Sequence, residues 1–155
     1  MSMNKIVYPS FGGFPRVIDD HVTDRTSYYL TVADRAGIEK LLRNRATRRA
    51  ANPTILNGLL RHKLRSARGA PEPAPSNLVV VGSRVTYMIS GEGARTGELC
   101  LQAMPLPGRI LVASLLGATL IGMQTLQKSP LLRDDGSIDT VVVLEVVPPP
   151  EQTAA

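Results

Sequence analysis

Apolar residues recur with a helical period in the first half of the chain and with a strand period in the second half. Residues 33–46 and 53–68 carry apolar side chains at intervals of three and four, which predicts two helices. Asn52 suits the N-cap and Pro53 the first position of the second helix, and Gly69 with Pro71 ends it. With a short strand within residues 26–32, we predict an antiparallel helical hairpin over residues 27–69.

Val-rich and Ile-rich segments follow, at residues 78–89, 97–104, 109–112 and 140–147. Turn signals separate them at 91–93, at 105–108 and at Asp135-Gly136, the last of which is a strong hairpin signal. Residues 115–123 predict one short helix. The predicted fold class is therefore α+β: a short antiparallel helical hairpin followed by an antiparallel β domain with one helix.

Composition places the domain boundary between these two patterns. The Pro-rich segment 70–76 predicts a semi-rigid linker, and residues 77–148 predict the β domain. Residues 1–26 are rich in Gly, Pro and polar residues without a period, which predicts a flexible N-terminal arm. Residues 149–155 form a short tail.

The expected cellular compartment follows from three features that the sequence of 155 residues lacks: a membrane-spanning segment, a signal-peptide pattern and a pair of cysteines. No apolar run approaches the roughly 18 to 20 residues that span a bilayer, and the N-terminus has no signal-peptide pattern. A single cysteine, Cys100, excludes an internal disulfide. We therefore expect a cytoplasmic protein without a membrane partner.

Positive charge is confined to the first half of the chain. Residues 1–76 hold 13 Lys and Arg against 6 Asp and Glu, whereas residues 77–155 hold 5 against 7. Four arginines crowd the predicted hairpin turn, namely Arg43, Arg45, Arg48 and Arg49, and Arg61, Lys63, Arg65 and Arg68 run along the second helix. No acidic residue lies between Glu39 and Glu72. The cluster predicts a surface for phosphate or for an acidic protein, with a solvated helical face as the alternative.

Candidate catalytic and metal-binding residues do not converge in the sequence. Cys100 lies in a strand-like segment without a basic cluster, and His21 and His62 lack partners at metal-ligand spacing. Asp134 and Asp135 are expected to bond their own turn backbone. The sequence predicts a protein that is not an enzyme and needs no metal or cofactor.

Four short motifs within residues 77–148 resemble the C-terminal, FKBP-like domain of the bacterial Gre transcript-cleavage factors and of Rnk, the regulator of nucleoside diphosphate kinase. They are VGSRV at 81–85, SLLGA at 114–118, LIG at 120–122 and VVLEV at 142–146. The hairpin and its Pro-containing linker are similar to the layout of Rnk, so the resemblance covers about residues 28–148. The chain has Leu115 where the family commonly has Pro, and Thr125-Leu126-Gln127 where it has Val-Gly-Asp.

The resemblance implies docking on the rim of the RNA polymerase secondary channel, with the hairpin pointing toward the channel. The family's docking segment corresponds to Ala113, Ser114, Leu115, Leu116, Gly117 and Ala118. The cleavage factors hold a second metal ion with acidic residues at a hairpin tip, and residues 43–53 contain none. We therefore predict a non-catalytic regulator of transcription that binds RNA polymerase and does not stimulate transcript cleavage. The alternatives are a module binding nucleic acid non-specifically through the basic hairpin, or a regulator of nucleoside diphosphate kinase.

Overall fold

A computed structural model describes residues 27–101 and 106–150 of the chain. The predicted flexible arm at residues 1–26, which contains His21, lies outside the described residues and stays a prediction. So does part of the predicted turn at 105–108. Within the described ranges, no helix is long and apolar enough to cross a membrane.

The helical hairpin forms at the predicted place. Strand β1 (Tyr29–Leu30) leads into helix α1 (Val32–Arg43), and a 3-10 turn (Ala46–Arg49) leads to helix α2 (Pro53–Ser66) and strand β2 (Arg68–Gly69). The Asn52 side chain caps α2 by accepting a hydrogen bond from the backbone N–H of Ile55, and Pro53 opens the helix as predicted. Helix α1 ends three residues earlier than predicted because Arg45 adopts the left-handed conformation, with φ of 54°, which an α-helix cannot continue.

The two helices run antiparallel, and their open end is fixed by one arginine. The guanidinium of Arg35, at the start of α1, donates to the carbonyl oxygen of Leu64 at 2.7 Å and to that of Ala67 at 3.2 Å. These carbonyls belong to the end of α2, where no helical N–H reaches them. Beside them β1 and β2 pair in parallel. The start of α1 and the end of α2 are thus held together.

The second half of the chain forms a five-stranded sheet. Its strands are β3 (Arg84–Ile89), β4 (Ala94–Cys100), β5 (Arg109–Leu111), β6 (Lys128–Leu132) and β7 (Ile138–Val147), in the order β5-β4-β3-β7-β6. Helix α3 (Leu115–Leu120) follows β5. Neighbouring strands pair antiparallel, except that β4 and β5 pair in parallel. The α+β class is confirmed, but a purely antiparallel sheet is wrong: the sheet is mixed.

The strands of the sheet differ in several places from the sequence prediction. Strand β6 was not predicted, and its sequence KSPLL contains Pro130, a residue that disfavours a strand. A proline is tolerated at the edge of a sheet, and β6 is an edge strand that pairs only with β7. Strands β4 and β7 begin at Ala94 and Ile138, before the predicted positions 97 and 140.

Residues 78–83 were predicted as strand, yet the regular strand begins at Arg84. Val79 instead donates to the carbonyl of Met123 and accepts from the N–H of Gly122, so this buried run pairs with the segment after α3.

One hydrophobic core joins the hairpin to the sheet. Buried side chains from the hairpin and its entry strand pack in the same cluster as buried side chains from the sheet and α3; the hairpin members are Leu30, Ile38, Leu41, Leu56 and Leu60. The boundary at residues 70–76 stays a prediction, but the hairpin and the sheet bury their apolar faces against each other. The position of the hairpin turn is therefore fixed relative to the sheet.

Candidate functional site

The basic turn of the hairpin contains the four predicted arginines, Arg43, Arg45, Arg48 and Arg49, and all four are exposed. None of them takes part in the ion pairs found between described residues. The turn itself is rigid: Thr47 is buried, and its hydroxyl bonds the side-chain oxygen of Asn57 on α2. The turn therefore presents uncompensated positive charge from a fixed backbone.

This turn does not extend freely from the rest of the protein. Ala46 and Ala50 are partly buried and pack against the common hydrophobic core. The small side chains at these positions let the turn approach the sheet closely. The arginines between and beside them point to solvent, at the edge of the β domain rather than away from it.

The predicted docking segment begins two residues after the end of β5 and includes the first four of the six residues of α3. The Ser114 hydroxyl donates to the Leu111 carbonyl at 2.6 Å and accepts from the Gly117 N–H at 3.0 Å, so Ser114 caps the helix. Ala113, Ser114, Leu115 and Leu116 are half-buried, whereas Gly117 and Ala118 are buried. The docking role stays a prediction, and only the first four of its six residues could contact a partner directly.

A cavity of about 600 Å³ lies between the basic turn and the docking segment. Its lining includes Tyr87 and Ile89 of β3 and Leu131 of β6, together with Ala46 and residues 49–52 on the hairpin side and residues 113–116 of the docking segment. We call it the hairpin groove. The groove is lined both by the basic turn and by the docking segment, which were predicted from the sequence as two independent sites.

A further part of the lining, which we call the far rim, contains Arg95, Arg133 and Asp134 and therefore carries both signs of charge. Glu92 pairs with Arg95 at 3.3 Å and with Arg133 at 3.5 Å, and Arg133 also pairs with Asp139 at 3.1 Å. Asp134 lines the groove beside them. The positive charge of the hairpin side is therefore not continued on the far rim.

Sequence reasoning placed Arg68 and Lys63 wrongly. Arg68 lies in β2, after the end of α2, and Lys63 is buried. Lys63 was counted with the exposed basic residues of the second helix, but only 3% of it is exposed. It follows Leu56 by seven residues and Leu60 by three, which puts it on the buried stripe of α2. This spacing in the sequence could have indicated that Lys63 is buried.

The ammonium group of Lys63 ties α2 to the end of α3. Its Nζ donates to the carbonyl oxygens of Ile121 at 2.8 Å and Thr119 at 3.0 Å, and it lies 3.7 Å from the centre of the Tyr28 ring. Burial lowers the pKa of Lys63 to about 7, while the two carbonyls and the ring face favour the charged form. The contacts fix the hairpin on the β domain.

A second buried charge, on Asp34, lies at the start of α1. Its backbone N–H bonds the Thr31 hydroxyl at 3.0 Å, and its carboxylate accepts from the backbone N–H of Val81 at 3.2 Å. Burial raises the pKa of Asp34 to about 6, although the hydrogen bond from Val81 acts in the opposite direction. The sequence signal was the Thr31-x-x-Asp34 spacing of a helix cap.

Asp34 is expected to make the protein less stable as pH rises through 6. The folded state binds the proton of the Asp34 carboxyl group more tightly than the unfolded chain does. The free energy of unfolding therefore decreases as this proton dissociates between pH 4 and pH 6, by at most about 3 kcal/mol in total. Asp34→Asn should remove this part of the pH dependence of the free energy of unfolding, measured by urea denaturation from pH 4 to 8. Glu39→Gln, an exposed carboxylate on the same helix, is the control. An unchanged slope in Asp34→Asn would contradict the assignment.

The remaining candidate residues do not assemble into a site. Cys100 is half-buried in β4, His62 is exposed on α2, and the Asp135 carboxylate accepts from the N–H and hydroxyl of Ser137, as expected in a turn. These two bonds lower the pKa of Asp135. Among residues 27–101 and 106–150, no group of three His, Cys, Asp or Glu side chains could hold a metal ion.

Comparison with known proteins identifies the fold. Neither a protein-family model nor a curated protein matches the chain. The prokaryotic transcription elongation factor GreA/GreB from Nitrosomonas europaea is similar in structure, with a TM-score of 0.55 over 79% of this chain and 100% of that one, at 18% sequence identity. The chain therefore has a Gre-type fold. The Gfh1 proteins of Thermus thermophilus and Thermus aquaticus also match, at 17% identity over 79% of this chain and 99% of each of theirs. Their TM-scores of 0.37 and 0.40 are too low to add to the assignment.

The Gre-type fold confirms the resemblance that the short motifs predicted, whereas the Rnk layout in particular stays a prediction. Two departures from the family pattern are accommodated locally. Leu126, where the pattern has Gly, keeps a left-handed backbone with φ of 70° and is 54% exposed. Gln127, where it has Asp, is buried, and its side-chain oxygen accepts from the N–H of Gln124 at 2.8 Å. The turn after α3 therefore forms without the usual residues.

Proposed function

We propose that this protein is a non-catalytic regulator of transcription that binds RNA polymerase near its secondary channel and does not stimulate transcript cleavage. The Gre-type fold supports a role in transcription, since the similar structure is that of an elongation factor. The half-buried residues 113–116 provide the contact surface that the resemblance implies for the polymerase rim.

One observation carries the second half of the proposal: the hairpin turn holds four exposed arginines and no carboxylate. A divalent cation in a polymerase needs hard oxygen ligands, and arginines in its place would repel it. The chain therefore cannot supply a second metal ion in the way that the resemblance implies for cleavage factors.

The short length of the hairpin also argues against stimulation of transcript cleavage. Helix α2 has 14 residues, which corresponds to about 21 Å at 1.5 Å per residue. The turn at its start also packs against the protein's own core, so the hairpin does not extend freely from the β domain. We therefore expect the protein to act by occupying the polymerase and excluding factors that bind at the same place.

The proposal is tested with arrested elongation complexes, to which the protein is added with and without a cleavage factor. We expect no shortened transcripts with this protein alone, and slower cleavage when it is added to the cleavage factor. Transcript shortening by this protein alone would contradict the proposal, as would a cleavage rate that is unaffected by excess protein.

A second candidate function is non-specific binding of nucleic acid through the basic turn. The exposure of its arginines, and the lack of ion pairs to them from described residues, favour this alternative. Phosphate neutralisation would give an affinity for DNA that falls steeply with salt. Replacing Arg43, Arg45, Arg48 and Arg49 with alanine should then weaken DNA binding and flatten its salt dependence. If polymerase binding is unaffected by the same four substitutions, DNA binding and polymerase binding depend on different residues.

A further inference from the structure

The hairpin groove combines an apolar interior with positive charge on its hairpin side that no ion pair between described residues balances. The buried side chains of Tyr87, Ile89 and Leu131 line it, together with the half-buried Leu115 and Leu116. A large apolar side chain that entered this space would exchange water for apolar contacts on several sides. The groove is thus suited to a single bulky apolar group.

Charge defines what must flank that group. Arg49 lines the groove on the hairpin side, and Arg45 and Arg48 are exposed in the same turn. On the far rim, the two arginines are matched by Glu92 and Asp139, and Asp134 adds a further negative charge. A ligand with carboxylates would therefore be attracted more strongly at the hairpin side than at the far rim, where positive and negative charges are nearly balanced, and this difference favours one direction across the groove.

We propose that the hairpin groove binds an acidic segment of a partner protein, with one large apolar side chain inserted between the basic turn and helix α3. The inference deepens the proposed function, on which it rests for the choice of a protein as partner. It assigns the arginines of the turn and residues 113–116 to one interface, so the turn contacts the partner together with the β domain.

Nucleic acid fits this surface less well than an acidic peptide. Phosphates would be drawn to the arginines of the turn, but they have no use for an apolar cavity of about 600 Å³. The ion pairs of Arg95 and Arg133 on the far rim also leave the unbalanced positive charge of the groove on the turn. A peptide uses both features, because a carboxylate and a large apolar side chain can be neighbours in one chain.

The test uses the full-length protein and three fluorescein-labelled peptides of twelve residues. The first carries four Glu residues around one Phe, the second has Ala in place of the Phe, and the third has Lys in place of the Glu residues. We expect the first to bind at least tenfold more tightly than either of the others. A labelled single-stranded oligonucleotide of twenty thymidines, measured at the same ionic strength, is the nucleic-acid probe.

Matched variants locate the binding site. The double reversal Arg48→Glu/Arg49→Glu should weaken binding of the first peptide at least fivefold, while Arg61→Glu/Arg65→Glu, the same charge change on exposed positions of α2, should change it less than twofold. Ala51→Trp, which places a bulky ring at an exposed position lining the groove, should also reduce binding. Thermal melting verifies that each variant is folded.

The outcomes separate this inference from the proposed function. Equal binding of the Phe and Ala peptides, or tighter binding of the oligonucleotide, would overturn the groove as a peptide site even if polymerase binds. Loss of polymerase binding in Ala51→Trp, together with the expected peptide ranking, supports both. The expected peptide ranking without any polymerase binding would support the groove and overturn the proposed function.

Discussion

Gly117→Ala is expected to destabilise the protein by about 3 kcal/mol or more. A Cβ atom at this position would lie 1.8 Å from the carbonyl oxygen of Leu111 and 2.9 Å from the Cα of Val112. Both are backbone atoms of the segment that leads into α3, so no side-chain rotation relieves the clash, and overpacking against a fixed backbone is costly. The measurement is the free energy of unfolding from urea denaturation.

Gly58→Ala is the matched control for this substitution. Gly58 lies within α2, is exposed, and has no atom within 4 Å of the position of an added Cβ. Alanine in a helix interior is more favourable than glycine, so this variant should gain about 0.5 to 1 kcal/mol. Unchanged or increased stability in Gly117→Ala would contradict the close packing of α3 on the segment after β5.

Raising the pH from 7 to 9.5 is expected to stabilise the folded protein by at most about 3 kcal/mol through Lys63 alone. Burial lowers the pKa of this lysine to about 7, whereas in the unfolded chain it has its ordinary value. In this range the unfolded chain therefore binds one more proton than the folded state, and the free energy of unfolding rises with pH. Contacts of the ammonium group with Thr119, Ile121 and Tyr28 oppose the effect and reduce its size.

Lys63→Met removes the titrating group and keeps an unbranched chain. The rise in the free energy of unfolding between pH 7 and pH 9.5 should then be absent, whatever the stability of the variant at pH 7. Lys40→Met is the control, since Lys40 is exposed on α1. If Lys63→Met retains the full pH dependence, a different group titrates in this range and the buried contacts of Lys63 are not as described.

Helix and turn chemistry was readable from the sequence because it is local. The Asn52-Pro53 start of α2 and the Asp135-Gly136 hairpin both depend on residues that lie next to each other, and both are present. The docking segment could likewise be placed on a short helix from its motif. These features need no knowledge of which parts of the chain meet in space.

Features that depend on packing between distant segments were not readable in the same way. Pro130 is compatible with a strand only because β6 lies at the sheet edge, and Lys63 is buried only because α3 ends above α2 and offers it two carbonyls. The hairpin groove arises from the same long-range packing. The basic turn and the docking segment are more than 60 residues apart in the sequence, so the charge pattern alone could not indicate that the turn forms part of a groove.

The most direct test of the account is equilibrium binding of the labelled full-length protein to purified RNA polymerase, followed by competition with an unlabelled cleavage factor. We expect saturable binding that the cleavage factor displaces. Leu115→Asp, in the docking segment, should weaken binding at least tenfold, whereas Leu126→Asp, at an exposed leucine outside that segment, should not. Lack of binding at polymerase concentrations that saturate the cleavage factor, or binding that the factor cannot displace, would contradict the account.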